Sequence, residues 1–225
     1  MSSTLVVPQN SKIQQDIPTI KQNINDMIDD LIASLPDRNQ LSAEERRGII
    51  ARYSSVLEGN FIYWMTATYM AVKSEEARPI ILDNLHEEIR DAHPAMLRRF
   101  TLEAHAFPTE QDAWAVYEDM TSVRLFLGKL SGVQSVITMA FFEGFIQKFM
   151  AYLADLAAAQ GSADMEYTDV HGVCDIEHTD GLFRALAMEL TTKPLEENQD
   201  LYEGVHLLRS LIETIVFNRA ASLAA

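Results

Sequence analysis

Residues 132–160, GVQSVITMAFFEGFIQKFMAYLADLAAAQ, contain no proline and stop at Gly161. Apolar and polar residues do not alternate here, so a half-buried strand is excluded. A run of this length reads as a helix, closed by Gly161 in the C-terminal cap position. Its most apolar part, Val133 to Phe149, is interrupted by Gln134, Ser135, Thr138, Glu143, Gln147 and Lys148. That is too polar for an expected bilayer span. Glu143 shares a helical stripe with Met139, Ala140, Ile146 and Met150, which turns its carboxylate inward.

Working outward from this helix, the same period recurs. Ser162–Thr192 follows, barred from continuing by Pro194, and Leu195 to about Ala221 forms a last helix. Towards the N-terminus, Ile17–Leu35 carries an apolar stripe of Ile20, Ile24, Met27, Ile28, Leu31 and Ile32. Ser42-Ala43-Glu44-Glu45 is a capping box that opens a helix running to about Lys73. Glu75–Glu103 reads as a third helix bent near Pro94, and Thr109 to about Leu130 as a fourth. Residues 1–15 lack periodicity and read as a flexible tail. The expectation is an all-α, single-domain bundle of about seven helices over residues 16–225.

Composition supports that class. Glycine (9) and proline (7) are scarce among 225 residues, and 48% of the chain is hydrophobic. A formal charge of −15 repels phosphate backbones and anionic headgroups, so neither nucleic acid nor membrane is an expected partner. The single cysteine, Cys174, precludes an internal disulfide. With no signal-peptide pattern at the start, the expected location is the cytoplasm.

Chemistry concentrates on a few stripes. His171, Asp175 and His178 are spaced i, i+4, i+7 and fall within roughly 60° of each other on one helix face. Two imidazoles and a carboxylate so aligned suit Fe(II), Mn or Zn. Glu143, on the preceding helix, needs a metal or a buried salt bridge, for which Arg184 or Arg124 could serve. On the third helix, Leu82, Leu85, Ile89, Met96 and Phe100 mark the apolar face. His86 and His93 flank its centre, Asp83 and Arg90 lie at its edge, and Glu87 and Glu88 lie further round. Glu58 is the only acid between Glu45 and Glu75 and reads as an interior carboxylate. Four helices thus offer inward ligands, enough for two metal ions. The competing reading is a salt-bridge network in a non-catalytic helical binding protein.

Together these residues resemble the haem-oxygenase-like diiron oxidases and oxygenases. That family carries a glutamate on an early helix, an acid and a histidine on the third, a glutamate on the fifth and His-x3-Asp-x2-His on the sixth. Glu58, His93, Glu143, His171, Asp175 and His178 match this pattern, and the segment Asn84–Pro94 is similar to the family's third helix. The chain departs from it where some members place a glutamate seven or ten residues before the histidine. His86 and Asp83 stand there, leaving His86 or Glu87 as the further third-helix ligand.

The resemblance implies a haem-oxygenase-like fold, two Fe(II) ions and O2 as co-substrate. It implies a small carboxylate-bearing substrate, such as an amino acid or fatty acid, undergoing N-oxygenation, desaturation or C–C cleavage, as in specialised-metabolite biosynthesis. Arg90 and His206 are candidates for substrate binding, and an external electron donor and a second copy of the chain are candidate partners. A metal-independent thiaminase-type enzyme using Cys174 is the alternative within the fold. Ferritin-like bundles fit less well, since only Glu203-x2-His206 supplies their motif.

Overall fold

The computed structural model describes residues 16–196 and 198–218. Among them there are eight helices and no strand. They are α1 (Ile17–Ala33), α2 (Ala43–Ala71), α3 (Arg78–Arg90), α4 (His93–Glu103), α5 (Glu110–Leu127), α6 (Gly132–Ala159), α7 (Glu166–Thr192) and α8 (Glu203–Phe217). The all-α class is as expected. The count is eight rather than seven, because the expected third helix is two. The expected tail, residues 1–15, and the end of the last helix at Ala221 lie outside the described residues.

Local chemistry sets the helix starts. Asp16 caps α1 by accepting from the Thr19 N–H at 2.9 Å. Ser42 and Glu45 form the expected capping box on α2, and Thr109 and Asp112 form another on α5. Asp112 also pairs with Arg47 at 2.6 Å, which ties the start of α5 to α2.

The helix at 132–160 is the centre of the molecule. By length and composition α6 would qualify to cross a membrane, contrary to its expected polarity. In the fold 83% of its 18-residue apolar stretch is buried against protein, as in a core helix. α7 lies along α6, and α2, α1 and α8 pack around it, while α5 closes the far side against α2 and α8. α3 and α4 cross α2 and α7.

Two backbone departures shape the side facing α3 and α4. In α2, Glu58 (φ −61°, ψ 99°) and Gly59 (φ 82°) leave the helical region; a positive φ costs glycine little. Between α3 and α4, Ala92 is left-handed (φ 57°), and Pro94 occupies the first turn of α4. Proline belongs in a first turn, where its missing N–H has no helical partner to lose. The chain therefore restarts at His93 instead of bending.

The loop entering α3 is fixed from α7. Glu189 is fully buried and accepts from the backbone N–H groups of Lys73 (2.9 Å) and Ser74 (2.8 Å). Gly132 leaves room for that carboxylate, since a Cβ there would collide with Glu189 Oε1. Glu189→Ala removes the acceptor of one buried and one part-buried donor and should cost about 3 kcal/mol in urea unfolding, with the m-value unchanged. A loss within the ±0.5 kcal/mol typical of surface changes would contradict this role.

Candidate metal centre

The site grows from α7, whose uninterrupted backbone keeps His171, Asp175 and His178 on one face. His171 and Asp175 are buried, and the His178 side chain is 9% exposed. The His171 Nδ1–H donates to the Tyr167 carbonyl at 2.8 Å, which leaves Nε2 to face inward. The Tyr167 ring lies 4.3 Å from the His171 ring, and its hydroxyl is hydrogen-bonded to that of Tyr53 at 2.8 Å.

Opposite His171 stand His93 and Glu88. The His93 and His171 rings meet edge to face at 4.5 Å. Glu88 Oε1 lies 2.7 Å from His93 Nδ1 and 3.8 Å from His171 Nε2. On a continuous helix, residues 88 and 93 would point about 140° apart. The left-handed turn at Ala92 brings them together. Burial would raise the Glu88 pKa, but His171 and His93 hold it down to about 2. Despite its burial, His171 is raised above the ordinary imidazole value, chiefly by Glu88 and Asp175.

A second group adjoins the first. His178 Nδ1 lies 3.7 Å from both Glu143 Oε2 and Asp175 Oδ1, and Asn84 donates to Glu143 Oε1 at 2.8 Å. Burial and the Asp175 carboxylate push the Glu143 pKa up. Burial opposes charge on His178, but Asp175 and Glu143, with Glu87, raise it to about 11. Cys174 Sγ is 3.3 Å from Asp175 Oδ1; burial and then that carboxylate push its thiol pKa up, the opposite of an activated nucleophile.

Glu88, His93, Glu143, His171 and Asp175 all line one cavity, with Tyr53, Tyr167 and an apolar wall that includes Phe61, Leu97 and Phe142. Its volume is about 30 Å³, room on the order of two water-sized occupants. Among the described residues no lysine or arginine lines it. Donor atoms of Glu88, His93 and His171 lie within 4.8 Å of one another, and so do those of Cys174, Asp175 and His178. Asp175 Oδ2 and His178 Nδ1 are buried without a hydrogen-bond partner. An orphaned carboxylate oxygen on the wall of an acid-rich, arginine-free cavity, with an orphaned imidazole nitrogen beside it, fits metal cations.

Not every expected residue arrives here. Glu58 was expected in the interior, but it stands at the break in α2, outside the cavity wall. Its side chain is 33% exposed and paired with Arg98. His86 and His206 are exposed. Arg90 is an exposed partner of Asp91 (2.7 Å) and Glu87 (3.6 Å), away from the cavity. Glu87 meets His178 Nε2 at 2.6 Å from the half-exposed edge. Neither Arg184 nor Arg124 pairs with Glu143, and Arg124 lies over the Tyr63 ring.

Glu88 and Asn84 are the residues that sequence reasoning passed over. α3 buries Ile81, Asn84, Leu85 and Glu88, a face rotated about 80° from the one drawn through Leu82, Leu85 and Ile89. Ile89 is 57% exposed. The spacing 81, 84, 85, 88 was the available signal, hidden because two of its four members are polar.

These shifts set the pH response of the protein without added metal. The raised His178 contributes stability that is full below about pH 6.5 and lost as pH rises toward about 11. Glu143, also raised, loses its contribution earlier, between about pH 4.5 and about 7. Glu88 contributes above about pH 4.5 and loses its contribution toward pH 2. Urea unfolding across pH should therefore show stability declining on both sides, with His178→Ala reducing the alkaline arm and Glu88→Gln the acid arm. Equal wild-type stability at about pH 6 and pH 9 would count against the alkaline assignment. No family model and no curated protein matches this chain.

Proposed function

We propose that the protein is a non-haem diiron oxidase or oxygenase that uses O2, with a haem-oxygenase-like arrangement of its helices. The observation that carries this reading is the pair of buried carboxylate–imidazole groups adjoining one cavity. Glu88, His93 and His171 would hold one iron, and Asp175, His178 and Glu143 the other. Two Fe(II) ions so held would supply electrons to O2.

The remaining residues have roles that follow from their chemistry. Hydrogen bonding from Asn84 orients Glu143. Tyr53 and Tyr167 brace the His171 ring from behind. Leu97, Phe142 and Ile146 keep bulk water from the cavity. The half-buried Leu57, Ile62 and Pro94 form its outer edge, where a small substrate would approach. We take that substrate to be carboxylate-bearing, such as an amino acid or fatty acid, undergoing N-oxygenation, desaturation or C–C cleavage in the cytoplasm. With Arg90 engaged at the surface, its carboxylate would have to find another partner.

Anaerobic titration should show uptake of about two Fe(II) per chain and an absorbing species when O2 is admitted. His171→Ala and Asp175→Ala should each remove at least one ion, and Cys174→Ser should remove none. Absence of iron uptake, together with undiminished stability in both alanine variants, would leave a non-catalytic helical protein. Turnover that survives chelators and depends on Cys174 would instead indicate a thiol enzyme of the thiaminase type.

A further inference from the structure

Glu87 is on the same helix as Glu88 but serves a different atom. Glu88 points into the cavity toward His93 and His171, while Glu87 reaches from the edge of α3 to the outer nitrogen of His178. Its Oε2 is 2.6 Å from His178 Nε2, close enough to accept a strong, charge-assisted hydrogen bond. The other nitrogen, Nδ1, is buried and has no hydrogen-bond partner. Glu143 Oε2 and Asp175 Oδ1 each lie 3.7 Å from it. That separation is beyond a hydrogen bond, so Nδ1 and the two carboxylate oxygens would be available as donors to one ion.

We infer that Glu87 is a positioning residue. By accepting the Nε2–H of His178 it fixes the imidazole tautomer and ring orientation, so that Nδ1 presents its lone pair to the ion shared with Asp175 and Glu143. The inference rests on the diiron reading and changes the part Glu87 plays in it, from candidate ligand to the group that aims a ligand. Two features favour aiming over ligation. The Glu87 side chain is 41% exposed and absent from the cavity wall, and its second oxygen faces Arg90 at 3.6 Å. Its contact also falls on the nitrogen of His178 that points away from Glu143 and Asp175. Carboxylate partners of metal-bound histidines act in this way and change metal affinity by about 10- to 100-fold when removed.

The test is anaerobic titration of the full-length protein with Co(II), followed by calorimetry and by the d–d absorption of the bound ion. Wild type, Glu87→Ala, Glu87→Gln and His178→Ala are compared, with thermal midpoints checked without metal. Glu87→Ala should weaken one of the two ions by about 10- to 100-fold and alter its d–d band, leaving the other ion as in wild type. Glu87→Gln retains an acceptor oxygen and should restore most of the affinity and the native band. The inference is overturned if Glu87→Ala binds both ions with wild-type affinity and spectrum. It is equally overturned if Glu87→Gln is as impaired as Glu87→Ala, because acceptor geometry would then not be what matters. If wild type itself takes up no Co(II), it is the metal reading that fails, a result distinct from a selective effect of Glu87.

Discussion

An ionised carboxylate placed in an apolar helical interior costs several kcal/mol unless something of opposite charge meets it there. Glu88, Glu143 and Asp175 are all so placed, and no arginine or lysine reaches them. What does reach them is imidazole, from His93, His171 and His178. In the protein alone these carboxylates raise His171 and His178, whose protons supply part of the missing positive charge, and Glu88 is lowered in turn. The compensation is incomplete, since Asp175 Oδ2 and His178 Nδ1 are still orphaned. Much of the surrounding structure serves to hold this acid-rich pocket closed. The aromatic side chains of α2 and α6 wall it, the tyrosine pair backs it, and Glu189 fixes the loop from which α3 begins.

The pocket also depends on where the helices fail to be regular. A straight third helix could not direct Glu88 and His93 to the same point. One left-handed alanine achieves it, while on α2 the Glu58 carboxylate is paired outside the cavity with Arg98. The pairing of imidazole with carboxylate in the cavity is therefore set by the backbone as much as by composition.

This explains which parts of the protein were legible in its sequence. The stripe Ile20, Ile24, Ile28 and Leu31 and the triad His171, Asp175 and His178 depend only on local helical spacing, and both could be read directly. The inward turn of Glu143 followed from the same rule on α6. The meeting of Glu88 with His93 could not be read that way, because it depends on a φ value at Ala92 that no periodicity reports. Asn84 was hidden for a different reason. It is a polar residue on a buried face, and a search for apolar recurrence treats such a position as solvent-facing. His86 shows the converse, since it lay beside an apolar stripe drawn on the wrong side of α3.

The central position of α6 bears on how the chain reaches this structure. It is the most apolar helix, and its cover comes from both sides of it in sequence: α1 and α2 before, α7 and α8 after. During synthesis from the N-terminus, α6 emerges when only part of that cover exists. Its most extensively packed partner, α7, is the next element made, and it carries His171, Asp175 and His178 of the candidate metal centre. Until α7 docks, a long greasy surface stands open to self-association. The polar strip that makes α7 costly to bury thus lies on the helix that must close over the core, so closing the core and completing the site go together.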